Sequence, residues 1–136
     1  MRRIQIKLFS AALLLMLSVL SLAAQGNSDI IAQAEEALKS SSSRELAKYL
    51  NDRVEIKLDN ERKEYSANQA EIVLKQFFQK HPSDATEIIH QGNSKGGIIY
   101  AIGKYTSGTT SYRVVLRAKR YRDVYKIYRL EFSKDR

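Results

Sequence analysis

The chain has 136 residues, 23 Lys and Arg against 15 Asp and Glu for a formal charge of +8, and neither cysteine nor tryptophan. That length suits a single hydrophobic core. The missing cysteine excludes disulfides, thiolate metal sites, thiol catalysis and a lipid anchor on cysteine.

Residues 1–24 read as a secretory signal peptide. Arg2, Arg3 and Lys7 form a positive start, and residues 8–20 are an apolar run broken only by Ser10 and Ser18. Ser21, Ala23 and Ala24 then supply small residues for cleavage. The run is shorter than the ~20 residues of a membrane span. The expectation is an exported protein of the periplasm or cell envelope, with residues 25–136 as one domain. Losing Arg2, Arg3 and Lys7 lowers the formal charge from +8 to +5, so part of the basic balance serves targeting.

Ser28 or Asp29 opens a first helix, with Ile30, Ile31, Ala34, Ala37 and Leu38 recurring at helical spacing. Four serines, residues 40–43, break it, and Ser42 or Ser43 caps a short second helix over residues 44–50 with Leu46, Tyr49 and Leu50 inward. Val54, Ile56 and Leu58 alternate with Glu55, Lys57 and Asp59, which predicts a strand. Asp59 and Asn60 turn it, and residues 62–65 return. Ser66 with Gln69 is a capping box opening a third helix over residues 67–80, whose stripe is Ala70, Val73, Leu74, Phe77 and Phe78; Pro82 stops it.

The last third reads as strands throughout. Residues 86–91 make one, with Thr86, Ile88 and His90 expected on one face, and residues 92–97 turn it. Three more follow over residues 98–105, 112–119 and 124–132. The middle one has the clearest alternation: Tyr112, Val114, Leu116 and Ala118 against Arg113, Val115, Arg117 and Lys119. The order α-α-β-β-α-β-β-β-β argues an α+β domain with helices on one face of an antiparallel sheet.

Several stretches resemble one known family: Val54-Glu55-Ile56-Lys57-Leu58, Tyr65-Ser66-Ala67-Asn68-Gln69-Ala70-Glu71, and Leu74-Lys75-Gln76-Phe77-Phe78. His90-Gln91-Gly92-Asn93-Ser94-Lys95, Tyr100-Ala101-Ile102-Gly103, Tyr112-Arg113-Val114 and Leu130-Glu131-Phe132 agree as well. Over most of residues 28–132 the chain is similar to a family of small exported proteins of Bacteroidetes-type bacteria, a domain of unknown function. The resemblance implies a nuclear transport factor 2-like cone, three helices packed on a curved sheet, and brings no activity with it. Analogy with the isomerases and cyclases that share such a cone is associational.

Chemistry-bearing residues are sparse. Two histidines on separate elements and scattered carboxylates give no metal-ligand spacing, and no cofactor is expected. An isomerase of this fold needs an aspartate in an apolar cavity, whereas Asp29, Asp52, Asp59, Asp84, Asp123 and Asp135 all fall at element ends or turns. The enzyme alternative is a small cofactor-independent isomerase or cyclase using His90 as general base; a hydrogen-bonded strand histidine is the plainer reading. His81 reads as capping a helix C-terminus.

Two binding readings remain. Tyr49, Phe77, His90, Tyr100, Tyr112 and Tyr128 are candidates to line an opening between helices and sheet, where a small apolar ligand would bind; core packing is the alternative. Between Arg113 and Arg136 stand nine Lys and Arg against three Asp and Glu. There Arg113, Arg117, Lys119, Arg120, Arg122 and Arg129 are candidates to meet an anionic envelope component or protein partner, and nucleic acid is not expected. The alternative is a solvated sheet face that resists aggregation. Val115 and Ile127, expected outward, suggest a homodimer through the sheet. The function expected is a non-catalytic binding or interaction module.

Overall fold

Apolar spacing of two kinds builds the molecule: three- and four-residue steps make helices, and two-residue steps make strands. The computed structural model describes residues 26–135, so the expected signal peptide lies outside the described residues. In chain order the elements are α1 (Gly26–Lys39), α2 (Ser43–Ala47), β1 (Leu50–Leu58), β2 (Glu61–Ser66), α3 (Ala67–Lys80) and β3 (Ala85–Ser94). A 3-10 turn (Lys95–Gly97) leads to β4 (Ile98–Ser107), β5 (Thr110–Tyr121) and β6 (Val124–Lys134).

α2 and α3 form where the sequence places their caps, whereas α1 already begins at Gly26, ahead of the expected cap at Ser28 or Asp29. α1 buries Ile30, Ile31, Ala34, Ala37 and Leu38, and it ends at Lys39, just before Ser41, whose φ of 53° lies in the left-handed region. Ser42 Oγ accepts the Glu45 N–H at 3.1 Å and starts α2. α2 stops earlier than its local pattern predicts. Leu50 already belongs to β1, because the Ile127 N–H donates to the Tyr49 carbonyl at 2.8 Å and Leu50 pairs with Ile127; strand pairing overrides helix propensity there. In α3 the capping box is complete: Ser66 Oγ accepts the Gln69 N–H at 3.2 Å, and Gln69 Oε1 accepts the Ser66 N–H at 3.3 Å.

The six strands form one sheet in the order β2-β1-β6-β5-β4-β3. Neighbours joined by a turn are antiparallel, whereas β1 lies parallel to β6. That pair alone among the described strands has no turn dictating its direction. The inner face of the sheet, with Val54, Ile56, Val114, Leu116, Leu130 and Phe132, packs on Leu38, Leu46, Leu74, Phe77 and Phe78 of the helices. Each such side chain contributes about 1.5–3 kcal/mol when fully buried.

Two bulges decide which side chains face out. Ile88 pairs with Gly103 and His90 with Ile102, leaving Ile89 as the extra residue. Thr86 and Ile88 therefore face the helices while His90 faces outward, not the shared side that strict alternation predicts. Arg117 pairs with Arg129 and Ala118 with Ile127, leaving Tyr128 extra. Ile127 is consequently buried in the core at 0% exposure. The expectation that it accompanies Val115 on the outer face is corrected by that bulge.

Candidate functional site: the outer face of the sheet

The interior of the cone is packed with aromatic rings. Phe77 lies 4.5 Å from Phe132, 5.3 Å from Tyr112 and 5.9 Å from Tyr105, centroid to centroid, and Phe78 stacks on Tyr105 at 6.1 Å. The Tyr105 hydroxyl donates to the His81 carbonyl. Burial pushes the Tyr105 and Tyr112 phenols above the usual tyrosine value, with the Asp59 carboxylate adding to the second. His81 closes α3, its N–H donating to the Phe77 carbonyl at 2.8 Å and its ring 5.4 Å from that of Tyr112.

The six aromatic and histidine positions proposed as a pocket therefore do not share one cavity. Phe77 and Tyr112 are core residues. Tyr49 borders a shallow depression with Ala32, Gln33, Ala37 and Glu45. Tyr128 stands on the outer face, where its ring takes the Lys119 ammonium at 5.1 Å. His90 and Tyr100 do come together, on that same face, with Nε2 3.0 Å from the Tyr100 hydroxyl.

Tyr100 is held by its surroundings. Its register partner across the ladder is Gly92. A Cβ at Gly92 would sit 2.8 Å from the Tyr100 hydroxyl and 3.1 Å from the ring carbon bearing it. The ring thus lies over a strand residue with no side chain, and any larger residue at position 92 would have to displace it.

Beside Tyr100 a groove of about 500 Å³ crosses the outer face. Ile102 and Val115, both half-buried, are its apolar members. Arg113, Arg117 and Lys57 supply charge, and Ser94 and Ser133 supply hydroxyls. Glu131 also lines it, but its carboxylate is held by Arg62 at 3.1 Å. Arg62 also pairs with Glu55, which in turn lies 3.4 Å from Arg129 Nε. That last contact is an ion pair without an aligned hydrogen bond. Glu55 and Glu131 are thereby occupied, whereas the exposed Glu87, opposite Lys104 across the ladder, is in no ion pair among the described residues. Among the described residues, none of the ion pairs engages Lys57, Lys104, Arg113 or Arg117.

The register sets opposite charges together at Glu87 and Lys104, Glu131 and Lys57, and Glu55 and Arg129, but not between β4 and β5 or between β5 and β6. Lys104 stands opposite Arg113, Arg117 opposite Arg129, and Lys119 opposite Lys126. Like charges directly opposite one another weaken a sheet. Of the six basic candidates, Arg113 and Arg117 line the groove, and Lys119 sits 5.1 Å from both the Tyr121 and Tyr128 rings. Arg120 pairs loosely with Asp123 at 3.7 Å, Arg122 occupies the β5–β6 turn at φ 56°, and Arg129 is half-buried beside Glu55. Sequence reasoning missed Lys57, Lys104, Ser94 and Ser133. Alternation places Lys57 on the outer side of β1, but nothing in the chain says that β1 joins β6 rather than another strand.

Residues 31–133 match the family model described as Domain of unknown function (DUF4783). No curated protein matches. Among solved structures, a DUF4783 family protein from Bacteroides ovatus ATCC 8483 is 25% identical with a TM-score of 0.74, over 77% of this chain and 94% of that one. Another from Bacteroides fragilis YCH46 is 24% identical with a TM-score of 0.71, over 76% of this chain and 96% of that one. A nuclear transport factor 2-like protein of unknown function from Shewanella baltica OS155 is 9% identical with a TM-score of 0.64, over 85% of this chain and 96% of that one, a likeness of fold alone. The chain belongs to the DUF4783 family, a domain of unknown function with a nuclear transport factor 2-like fold.

Proposed function

We propose that this protein is an exported, non-catalytic binding module of the periplasm or cell envelope that holds an anionic partner against the outer face of its sheet. The observation that carries this reading is a recess whose basic residues Lys57, Arg113 and Arg117 are in no ion pair among the described residues, with the like-charged pairs Lys104–Arg113 and Arg117–Arg129 across its ladders. Opposite charges face each other elsewhere on the sheet, but the β4–β5 and β5–β6 ladders give up that gain and keep a positive potential beside the recess. The first 24 residues support export. The aromatic packing of the cone favours the outer face over an interior ligand. His90 is exposed on that face with a tyrosine hydroxyl as partner, which suits positioning better than proton transfer inside a cavity.

The test measures binding of the purified protein to polygalacturonate, polyglutamate and phosphatidylglycerol vesicles. At least one should bind at low salt and release near 1 M salt, where the Debye length falls to ~3 Å. Arg113→Gln with Arg117→Gln should weaken that binding about tenfold or more. Binding by none of the three, or equal binding by the double variant, overturns the reading.

A further inference from the structure

The outer groove has a chemistry narrower than positive charge, and we infer that its ligand is a carboxylated oligosaccharide of the uronic-acid class. This rests on the anionic-face reading above. Three features of the groove select the class. Its aromatic wall is prearranged: the Tyr100 ring lies over Gly92 and its hydroxyl is tied to His90 at 3.0 Å. A ring so fixed presents a flat apolar surface of the kind that packs on the C–H face of a sugar, at little entropic cost on binding. Arg117, the register partner of Tyr100 on β5, and Arg113 provide planar forks that match a carboxylate with two parallel hydrogen bonds. Ser94 and Ser133 add short hydroxyls at the rim, the groups that exchange hydrogen bonds with sugar hydroxyls.

Spacing agrees with a repeating anion. Arg113 and Arg117 lie four residues apart on one strand, about 13 Å at ~3.3 Å per residue, with the half-buried Val115 between them. A chain of sugars with a carboxylate on each unit reaches both while its apolar faces cover Ile102 and Val115. A volume near 500 Å³ falls within the roughly 300–1,000 Å³ of small-ligand sites.

The two competing anions fit less well. An extended acidic peptide binds sheets at their edges, through main-chain hydrogen bonds. Here the floor strands β4 and β5 are paired on both sides, so a peptide would gain only side-chain contacts. An anionic bilayer is met by protruding basic and aromatic side chains, whereas Arg113, Arg117 and Tyr100 border a recess.

Isothermal titration calorimetry of the purified protein decides it. The probes are trimers of galacturonate, mannuronate and guluronate, with a neutral galactose trimer, pentaglutamate and phosphatidylglycerol vesicles for comparison. At least one uronate trimer should bind about tenfold or more tightly than the neutral trimer. Arg117→Gln should lower that affinity about tenfold, and so should Tyr100→Ala. Tyr100→Phe, which keeps the ring, should retain most of it. Gly92→Ala, which pushes the ring aside, should lower it with the fold intact by circular dichroism. If pentaglutamate or vesicles bind as well as every uronate trimer, or if Tyr100→Ala and Gly92→Ala are silent while Arg117→Gln is not, the sugar assignment falls and the anionic face stands. If no anion binds, both fall.

Discussion

Tyr105 and Tyr112 show how single side chains in this molecule combine packing with titration. Both are buried with their rings against Phe77, and burial raises the pKa of each above the ordinary 10.0. The unfolded chain ionises these phenols near pH 10, while the folded one holds the proton to higher pH. Their contribution to stability is therefore full below pH 10 and is lost as pH rises through the folded values. Stability measured by urea unfolding should fall above about pH 10, and less steeply in the Tyr105→Phe, Tyr112→Phe double variant. Parallel falls in the two proteins would assign the alkaline loss to other groups. The aromatic residues of the cone were legible as apolar positions from their spacing. That Phe77, Phe78, Tyr105, Tyr112 and Phe132 pack ring against ring was not, because helical or strand period reports which face is inward, not which inward residues meet.

At the scale of elements, the β3 bulge joins sheet edge to helix. Beside it the Ile88 N–H donates to the Glu35 carboxylate of α1 at 3.1 Å. The carboxylate also takes Lys39 at 3.0 Å, and this bond holds the Lys39 ammonium above its usual pKa. α1 thus covers the edge strand β3 next to its extra residue Ile89. Gly103, opposite the bulge, makes room for it: a Cβ there would lie 2.9 Å from the Glu87 carbonyl oxygen. Glu35→Ala should cost about 1–2 kcal/mol and speed amide exchange at Ile88, while Glu35→Gln, which keeps an acceptor, should retain most protection. Unchanged exchange at Ile88 in the alanine variant would show that the bond is not maintained in solution. The element itself was readable in the sequence as a strand. The bulge was not, since its cause is the fit of β3 to β4 and α1, and it reversed the facing of His90.

Over the whole molecule, stability rests on one continuous core between the helices and the inner face of the sheet. Phe132 stands at its centre, 0% exposed and in ring contact with Phe77, Phe78 and Tyr105. Phe132→Ala should lose about 3–5 kcal/mol, a large part of the ~5–15 kcal/mol that holds a domain of this size. A shift in the urea midpoint equivalent to under about 1 kcal/mol would mean that the core re-forms around the gap. What the sequence by itself determined is local: the capping box at Ser66, a serine cap at residue 42 or 43, the three helices, the alternation of β5, and the α+β order, because each depends on neighbours within a few residues. The resemblance to a known family extended that to the cone. Only the tertiary structure decided the parallel union of β1 with β6, the bulges at Ile89 and Tyr128, the cluster of rings in the core and the groove that gathers Lys57, Tyr100, Arg113 and Arg117. Those depend on pairings between residues far apart in the chain, and a bulge of one residue is enough to turn a side chain from one face to the other.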